Sequence, residues 1–283
     1  MEHVVERAVQ IMRERYAEPL SLDDIARAVL VSKFHLLRIF SQVTGVTPGR
    51  FLSAVRIGEA KRLLQNSDLG VATISSAVGY NSTGSFTSRF TESVGIPPTR
   101  YRQVSRGEGE YVVRSPAGGQ GDMTRCLRGV ARAGAEPVSS IYIGSFDSPI
   151  LQGHPSSWTT TECLGPFVLQ QVPHGICYLH ATMRAAQEQP GQPLETMLLT
   201  ATLGPIRIDP YAGFEVELVL CPRDWSHPPI LFVAPGLEML AEAAPRPGFK
   251  RISSVYQADS SKFPVASSGF QELARHASWK VSN

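Results

Sequence analysis

The chain reads as a multidomain protein of two unlike halves, an all-α unit of about seven helices built from two repeated helix pairs, followed by an all-β sandwich. Three observations predict this. Ser32, Phe40, Gly45, Pro48 and Arg50 recur 50 residues later as Ser82, Phe90, Gly95, Pro98 and Arg100, so a whole supersecondary unit is repeated. Apolar residues keep helical spacing as far as about residue 106 and fall into short alternating runs beyond about residue 125. The charge divides at the same place: residues 1–106 hold 14 Lys and Arg against 9 Asp and Glu, whereas residues 107–283 hold 13 against 16, so a net +2 conceals +5 and −3.

The elements follow in order. Val4, Val5, Ala8, Ile11 and Met12 mark a first amphipathic helix that ends near Glu18 and Pro19. In the first pair, about 22–45, Leu22, Ile25, Ala26 and Val29 form one apolar stripe behind an N-cap at Ser21, with Asp23 and Asp24 in the first turn. A short connection through Leu30 and Val31 leads to a second N-cap at Ser32, then to Leu36, Ile39, Phe40 and Val43, closed by Gly45. Thr47 and Pro48 open a longer helix, about 47–66, whose apolar face is Phe51, Leu52, Val55, Ala60, Leu63 and Leu64, with Arg50, Arg56, Lys61 and Arg62 expected in water. In the second pair, about 71–95, Val71, Ile74 and Val78 precede Gly79, Ser82 caps, and Phe86, Phe90 and Val94 pack before Gly95. Each second helix therefore frees a polar or basic face, the arrangement of a helix-turn-helix whose second helix enters a major groove.

The motifs SLDDIARAV, SKFHLLRIF, TGVTPGRFL, AVRIGEAKRLL, TISSAVGYNSTGSFTSRF and VGIPPTRYR stand in this order. Together they make residues 1–106 resemble the DNA-binding domain of the AraC/XylS family of bacterial transcription regulators. The resemblance implies double-stranded DNA and RNA polymerase as partners. It carries base-reading roles onto Phe34, Leu37 and Arg38, with Ser32 and Lys33 beside them, and onto Thr83, Gly84, Ser85 and Ser88, with Arg89 adjoining. Gly84 has no side chain to reach a base, and Leu37 offers only apolar contact, for instance with a thymine methyl. The smaller second set points to phosphate contacts and DNA shape more than to base edges.

Residues 107–124 are rich in Gly and Pro and read as a flexible linker. Residues 125–243 read as the sandwich, an accessory or sensor domain, and 244–283, Ser-rich and without sustained periodicity, as a disordered tail. Within the sandwich, strands are expected at 140–146, 166–172, 176–183, 206–208, 214–221 and finally 230–233 (ILFV), with a possible helix at 195–201. The run GPFVLQQVPHGICYLHA resembles the strand, turn and strand of transthyretin-like and carboxypeptidase-regulatory-like sandwiches, folds used for packing, dimerisation or ligand contact. A small-molecule effector or a homodimer contact is accordingly placed on this half.

No catalytic constellation emerges. His174, Cys177 and His180 cluster around one hairpin, but Cys177 reads as a buried structural thiol. Cys126, Cys163, Cys177 and Cys221 are separated by gaps of 37, 14 and 44 residues, which match no zinc spacing, so neither metal nor cofactor is expected. With no apolar run of bilayer length and no signal segment, a soluble cytoplasmic protein without enzymatic activity is expected. The competing classes are a DNA-coating protein without sequence preference and a regulator whose second half carries an unrecognised enzyme.

Overall fold

A computed structural model describes residues 1–108, 126–135, 137, 140–187, 195–208 and 214–233. The expected linker and tail fall almost wholly outside the described residues. The described residues all fall within a single compact unit.

Seven helices open the chain: α1 (Glu2–Glu14), α2 (Leu22–Ala28), α3 (Lys33–Thr44), α4 (Pro48–Asn66), α5 (Val71–Ala77), α6 (Thr83–Val94) and α7 (Pro98–Ser105). The caps explain the boundaries. Ser21 closes a capping box with Asp24, Ser32 accepts from His35 N, Thr47 from Arg50 N and Ser82 from Ser85 N. Gly45 and Gly95 end α3 and α6 in the left-handed conformation, at φ of 73° and 93°. One core joins the repeats, with Val5, Ala8, Ile25, Leu36, Phe40, Phe51, Ile57, Leu64, Ile74, Phe86 and Phe90 all buried. Phe40 meets Phe51 edge-on at 5.5 Å, and Phe90 meets Tyr101 at 5.7 Å, so α3 and α6 are each anchored to the following helix by an aromatic contact. The first helix stops at Glu14, earlier than expected, and Arg15–Pro19 form the turn into α2.

Seven strands follow: β1 (Cys126–Ala133), β2 (Ile141–Phe146), β3 (Ser157–Thr161), β4 (Gly165–Gln170), β5 (Gly175–Gln187), β6 (Glu195–Ile208) and β7 (Phe214–Pro222). Their order is β3-β2-β5-β6-β7-β1-β4. β1 is parallel to β7 and antiparallel to β4, while β2, β3, β5 and β6 pair antiparallel. The all-α then all-β layout is as the sequence predicts, but the expected sandwich is realised as one continuous, barrel-like sheet. Its two groups, β4-β1-β7 and β6-β5-β2-β3, meet at a short seam, Leu199↔Pro222 and Thr200↔Cys221. At the far side Ser157 Oγ on β3 donates to the Gln170 carbonyl on β4 at 2.5 Å. Both groups supply the same core, Leu127, Phe167, Leu169, Leu218 and Leu220 from one, Ile141, Ile143, Leu179, Met183 and Leu199 from the other.

Three local expectations are corrected. Residues 195–201 are strand, because the long β5·β6 ladder from Gly175↔Ile208 to Gln187↔Glu195 satisfies their backbone and Leu199 faces the core. The final strand expected at 230–233 is instead an extended strap. Leu231 and Phe232 N–H both donate to the Leu151 carbonyl, and the Ile230 and Leu231 carbonyls accept from the Lys61 side chain, so no strand ladder forms there. Lys61 itself, expected in water, is 5% exposed.

Candidate nucleic-acid interface

The site is built from two mounts and two exposed helix faces. The rod between them, α4, has 19 residues, about 28 Å at 1.5 Å per residue. Arg56 on α4 reaches back to the loop before α2, with Nε donating to Tyr16 O at 2.8 Å and Nη2 to Glu18 O at 2.7 Å. Fifty residues on, Arg106 repeats this grip on the loop before α5: Nη2 donates to Ser67 O at 2.6 Å, and Nη1 pairs with Asp68 at 2.8 Å. Arg102 adds donors to the Leu64 and Leu69 carbonyls. Each helix pair is thus pinned by a guanidinium following its own second helix. The repeat spacing holds the signal for these mounts, since Arg56 and Arg106 stand 50 apart like the five pairs that reveal the repeat.

On this frame α3 and α6 present their outer faces. Ser32, Lys33, Phe34, Leu37 and Arg38 are exposed, as are Thr83, Gly84, Ser85, Ser88 and Arg89. Phe34 is 76% exposed and Leu37 37%, so α3 turns apolar as well as basic side chains outward. Not all ten are equally free to read. The Ser32 hydroxyl accepts from His35 N at 3.3 Å, and Ser82, Ser85 and the start of α6 share a closed set of cap hydrogen bonds. Ser32 and Ser85 therefore shape the helix starts, whereas Phe34, Leu37, Arg38, Thr83 and Ser88 project from the faces.

The electrostatics favour an anion. Neither α3 nor α6 carries an acidic residue in its first turn, so the positive end of each helix dipole is left for phosphate, whereas α2 has Asp23 and Asp24 there. Lys33 lies 3.4 Å from Asp23 and over the Phe34 ring at 5.7 Å, and Arg89 lies 3.0 Å from Glu92. These are exposed pairs, worth at most about 1 kcal/mol and easily exchanged for phosphates. Arg38 Nη2 sits 3.3 Å from His35 Nδ1, which orients the guanidinium along α3.

One exposed residue at the site escaped sequence reasoning. Leu30, in the turn before α3, has φ of 58° and is 91% exposed. Its counterpart Gly79 has φ of 82°, and a Cβ there would sit 2.9 Å from the carbonyls of Tyr16 and Ala17. The second turn thus needs glycine because it packs against the entrance of the first unit; the first turn has open space and tolerates leucine at a conformational cost.

Elsewhere, His180 is fully engaged, with Nδ1 2.9 Å from Thr202 Oγ1 and Nε2 2.8 Å from Ser148 O, and burial pulls its pKa down to about 4. Burial pushes the Cys177 thiol up, in keeping with a structural thiol. Among the described residues no group of three His, Cys, Asp or Glu is placed to hold a metal ion, and no helix is long and apolar enough to cross a membrane.

Known proteins are similar to about a third of the chain. A family profile described as a helix-turn-helix domain matches residues 25–104. The MmsAB operon regulatory protein of Pseudomonas aeruginosa is 37% identical over 99 residues, 35% of this chain and 32% of that protein. The transcriptional activator AarP of Providencia stuartii is 36% identical over 97 residues, which cover 34% of this chain and 72% of AarP. A solved AraC-type regulator structure from Chromobacterium violaceum is 34% identical over 36% of this chain and 90% of its own, with a TM-score of 0.35. The chain thus spans about a third of the length of the MmsAB regulator and most of AarP. With two pinned helix pairs, their outer faces exposed and a family match over residues 25–104, the chain belongs to the AraC-type family of helix-turn-helix transcription regulators.

Proposed function

We propose that the chain binds double-stranded DNA sequence-specifically by seating α3 and α6 in two adjacent major-groove segments, and that it regulates transcription from that site. The observation that carries this reading is the pair of similarly capped, similarly mounted helices, each with an acid-free N-terminus and an exposed outer face, at the two ends of a rod about 28 Å long. Successive major grooves on one face of B-DNA lie roughly 34 Å apart, so one chain presents both readers without dimerising. Phe34, Leu37 and Arg38 face base edges. Thr83 and Ser88 do so with shorter side chains, and Lys33 and Arg89 take phosphates. RNA polymerase is the second partner by kinship with named activators and operon regulators, and the sheet half is the place for an effector or a second copy.

The test is selection from a random-sequence DNA pool by the full chain at two salt concentrations, with sequencing of the bound fraction. One asymmetric site with two elements about a helical turn apart is expected. A bound pool without any consensus would make the protein a DNA coat instead. A palindromic site would place dimerisation, not the single chain, at the centre of recognition.

A further inference from the structure

The strap after β7 has a part in DNA reading that its distance from the reading helices hides. The segment from Arg223 to Val233 runs between the two halves, and from Ile230 to Val233 alternate residues face opposite ways. Ile230 and Phe232 pack with Tyr142, Phe146 and Leu151 of the sheet half, while Leu231 and Val233 enter the helical core. This period of two is why the segment resembles a strand in sequence. The helical half grips the strap by its carbonyls: Arg13 Nη2 donates to His227 O at 3.2 Å, and Lys61 Nζ donates to Ile230 O at 3.1 Å and Leu231 O at 3.0 Å. Arg223, within the strap, closes on the Pro228 carbonyl. A second contact lies at the end of α6. Gly153 N–H donates to the Ser93 carbonyl at 2.6 Å, and the His154 ring lies 3.1 Å from where a Cβ on Gly95 would stand. The sheet half therefore touches α1 in front of the first helix pair, α4 between the pairs, and the C-terminal end of α6. All ten proposed DNA-facing residues stay exposed with these contacts made.

We infer that the sheet half is a splint, docked through the strap and residues 148–154, that holds the two helix pairs at one separation, with Lys61 as the positioning residue on which docking turns. The chemistry of the seam supports a contact that closes as a unit. Lys61 meets carbonyl dipoles, the Tyr101 ring at 5.6 Å and the like charge of Arg223, while the strap's Asp224 is engaged by Ser226 and His227. A cation so placed is tolerable only while the strap carbonyls stay aligned on it, and opening the seam would also wet Ile150, Leu231 and Val233. Docking is therefore all or none at this point, which is what fixing a separation requires.

The inference rests on the proposed two-element DNA reading, and the test separates the two. Full-length wild type, Gly58→Val and Lys61→Met are compared. Gly58 faces the strap, where even a Cβ would stand 3.2 Å from Pro229 Cβ, so valine wedges the seam open from the α4 side. Lys61→Met keeps the aliphatic length and removes both donors. Docking is read by amine labelling with an N-hydroxysuccinimide ester and peptide mass spectrometry. Lys61 in the wild type should label far more slowly than Lys33, whose side chain is 45% exposed, and should approach it in Gly58→Val. Separation is read on the site selected by the wild type, with one or two base pairs inserted between its elements. The wild type should lose about tenfold or more in affinity, and both variants, confirmed folded by circular dichroism, clearly less. If Lys61 labels as fast as Lys33 in the wild type, the strap is not docked in solution and the splint fails, whatever the DNA result. A Gly58→Val protein that releases Lys61 yet keeps the wild-type spacing penalty would leave docking standing and overturn its positioning role. A wild-type pool without a consensus removes the DNA reading itself and the splint with it, while the labelling still reports on docking.

Discussion

Lys61→Met should abolish a specific pH dependence of stability. Burial, reinforced by the nearby Arg223 charge, pulls the Lys61 ammonium down from 10.5 to about 7. The groups facing it are Arg223 from the strap, the Tyr101 ring from α7 and the carbonyls of Ile230 and Leu231. Because the folded pKa is the lower one, the folded state binds fewer protons between pH 7 and pH 10.5, and stability rises with pH in that window. Below pH 7 the full cost of burying the charge is present. Between pH 7 and pH 9 the relief is about 2 kcal/mol, or about 4–8 °C in Tm for a chain of this size. Thermal unfolding of the full chain at the two pH values, for wild type and Lys61→Met, measures it. Groups common to both proteins, among them Cys177, Cys221 and Tyr101, whose pKa values burial raises, cancel in the difference. The wild type should gain on the variant as pH rises. Parallel curves would show that Lys61 is solvated, and the reasoning about the seam would collapse.

Arg38→Ala should weaken binding to the selected site by about 1–3 kcal/mol and blur preference at one base pair, whereas equal loss on cognate and random DNA in a binding titration would make Arg38 a phosphate contact. Arg56→Ala and Arg106→Ala each remove donors to loop carbonyls and should destabilise by about 1.5–3 kcal/mol in denaturant unfolding; a loss under 0.5 kcal/mol in both would show that the mounts are ornamental. Gly79→Ala forces a Cβ to within 2.9 Å of two carbonyls and should cost about 2 kcal/mol or more. Leu30→Gly relieves a left-handed leucine in open space and should be neutral to stabilising by about 1 kcal/mol, so the two turns of the repeat respond with opposite signs in the same thermal melt.

The helical half was legible because its signals are local. Caps at Ser21, Ser32 and Ser82, glycine stops at Gly45 and Gly95 and stripes such as Leu36, Ile39 and Phe40 act within one or two turns, and the repeat supplied each of them twice. The outer faces followed by subtraction. Lys61 was misread because a basic residue on a long helix normally stays wet, and its partners lie 169 and 170 residues away in the chain. The strap shows the same limit: ILFV has the composition and alternation of a strand, but its two faces are claimed by two different cores and its carbonyls by a side chain. Residues 195–201 read ambiguously because Leu and Ala suit a helix as well as a core strand, and only the ladder to β5 decides. The sandwich became a barrel-like sheet through a seam of two residue pairs, which no local pattern encodes.

The grip of Arg13 on the His227 carbonyl spans 214 residues of chain, and this separation sets an order of events during synthesis. At about 5–20 residues per second, α4 emerges roughly 9–34 s before the strap that will cover Lys61. For that interval the helical half stands without Leu231 and Val233 in its core, and with a lysine that is still hydrated and fully charged. The nascent protein thus passes through a stage with its recognition helices present and the groove behind α4 open. Docking of the strap then strips that one ammonium of water.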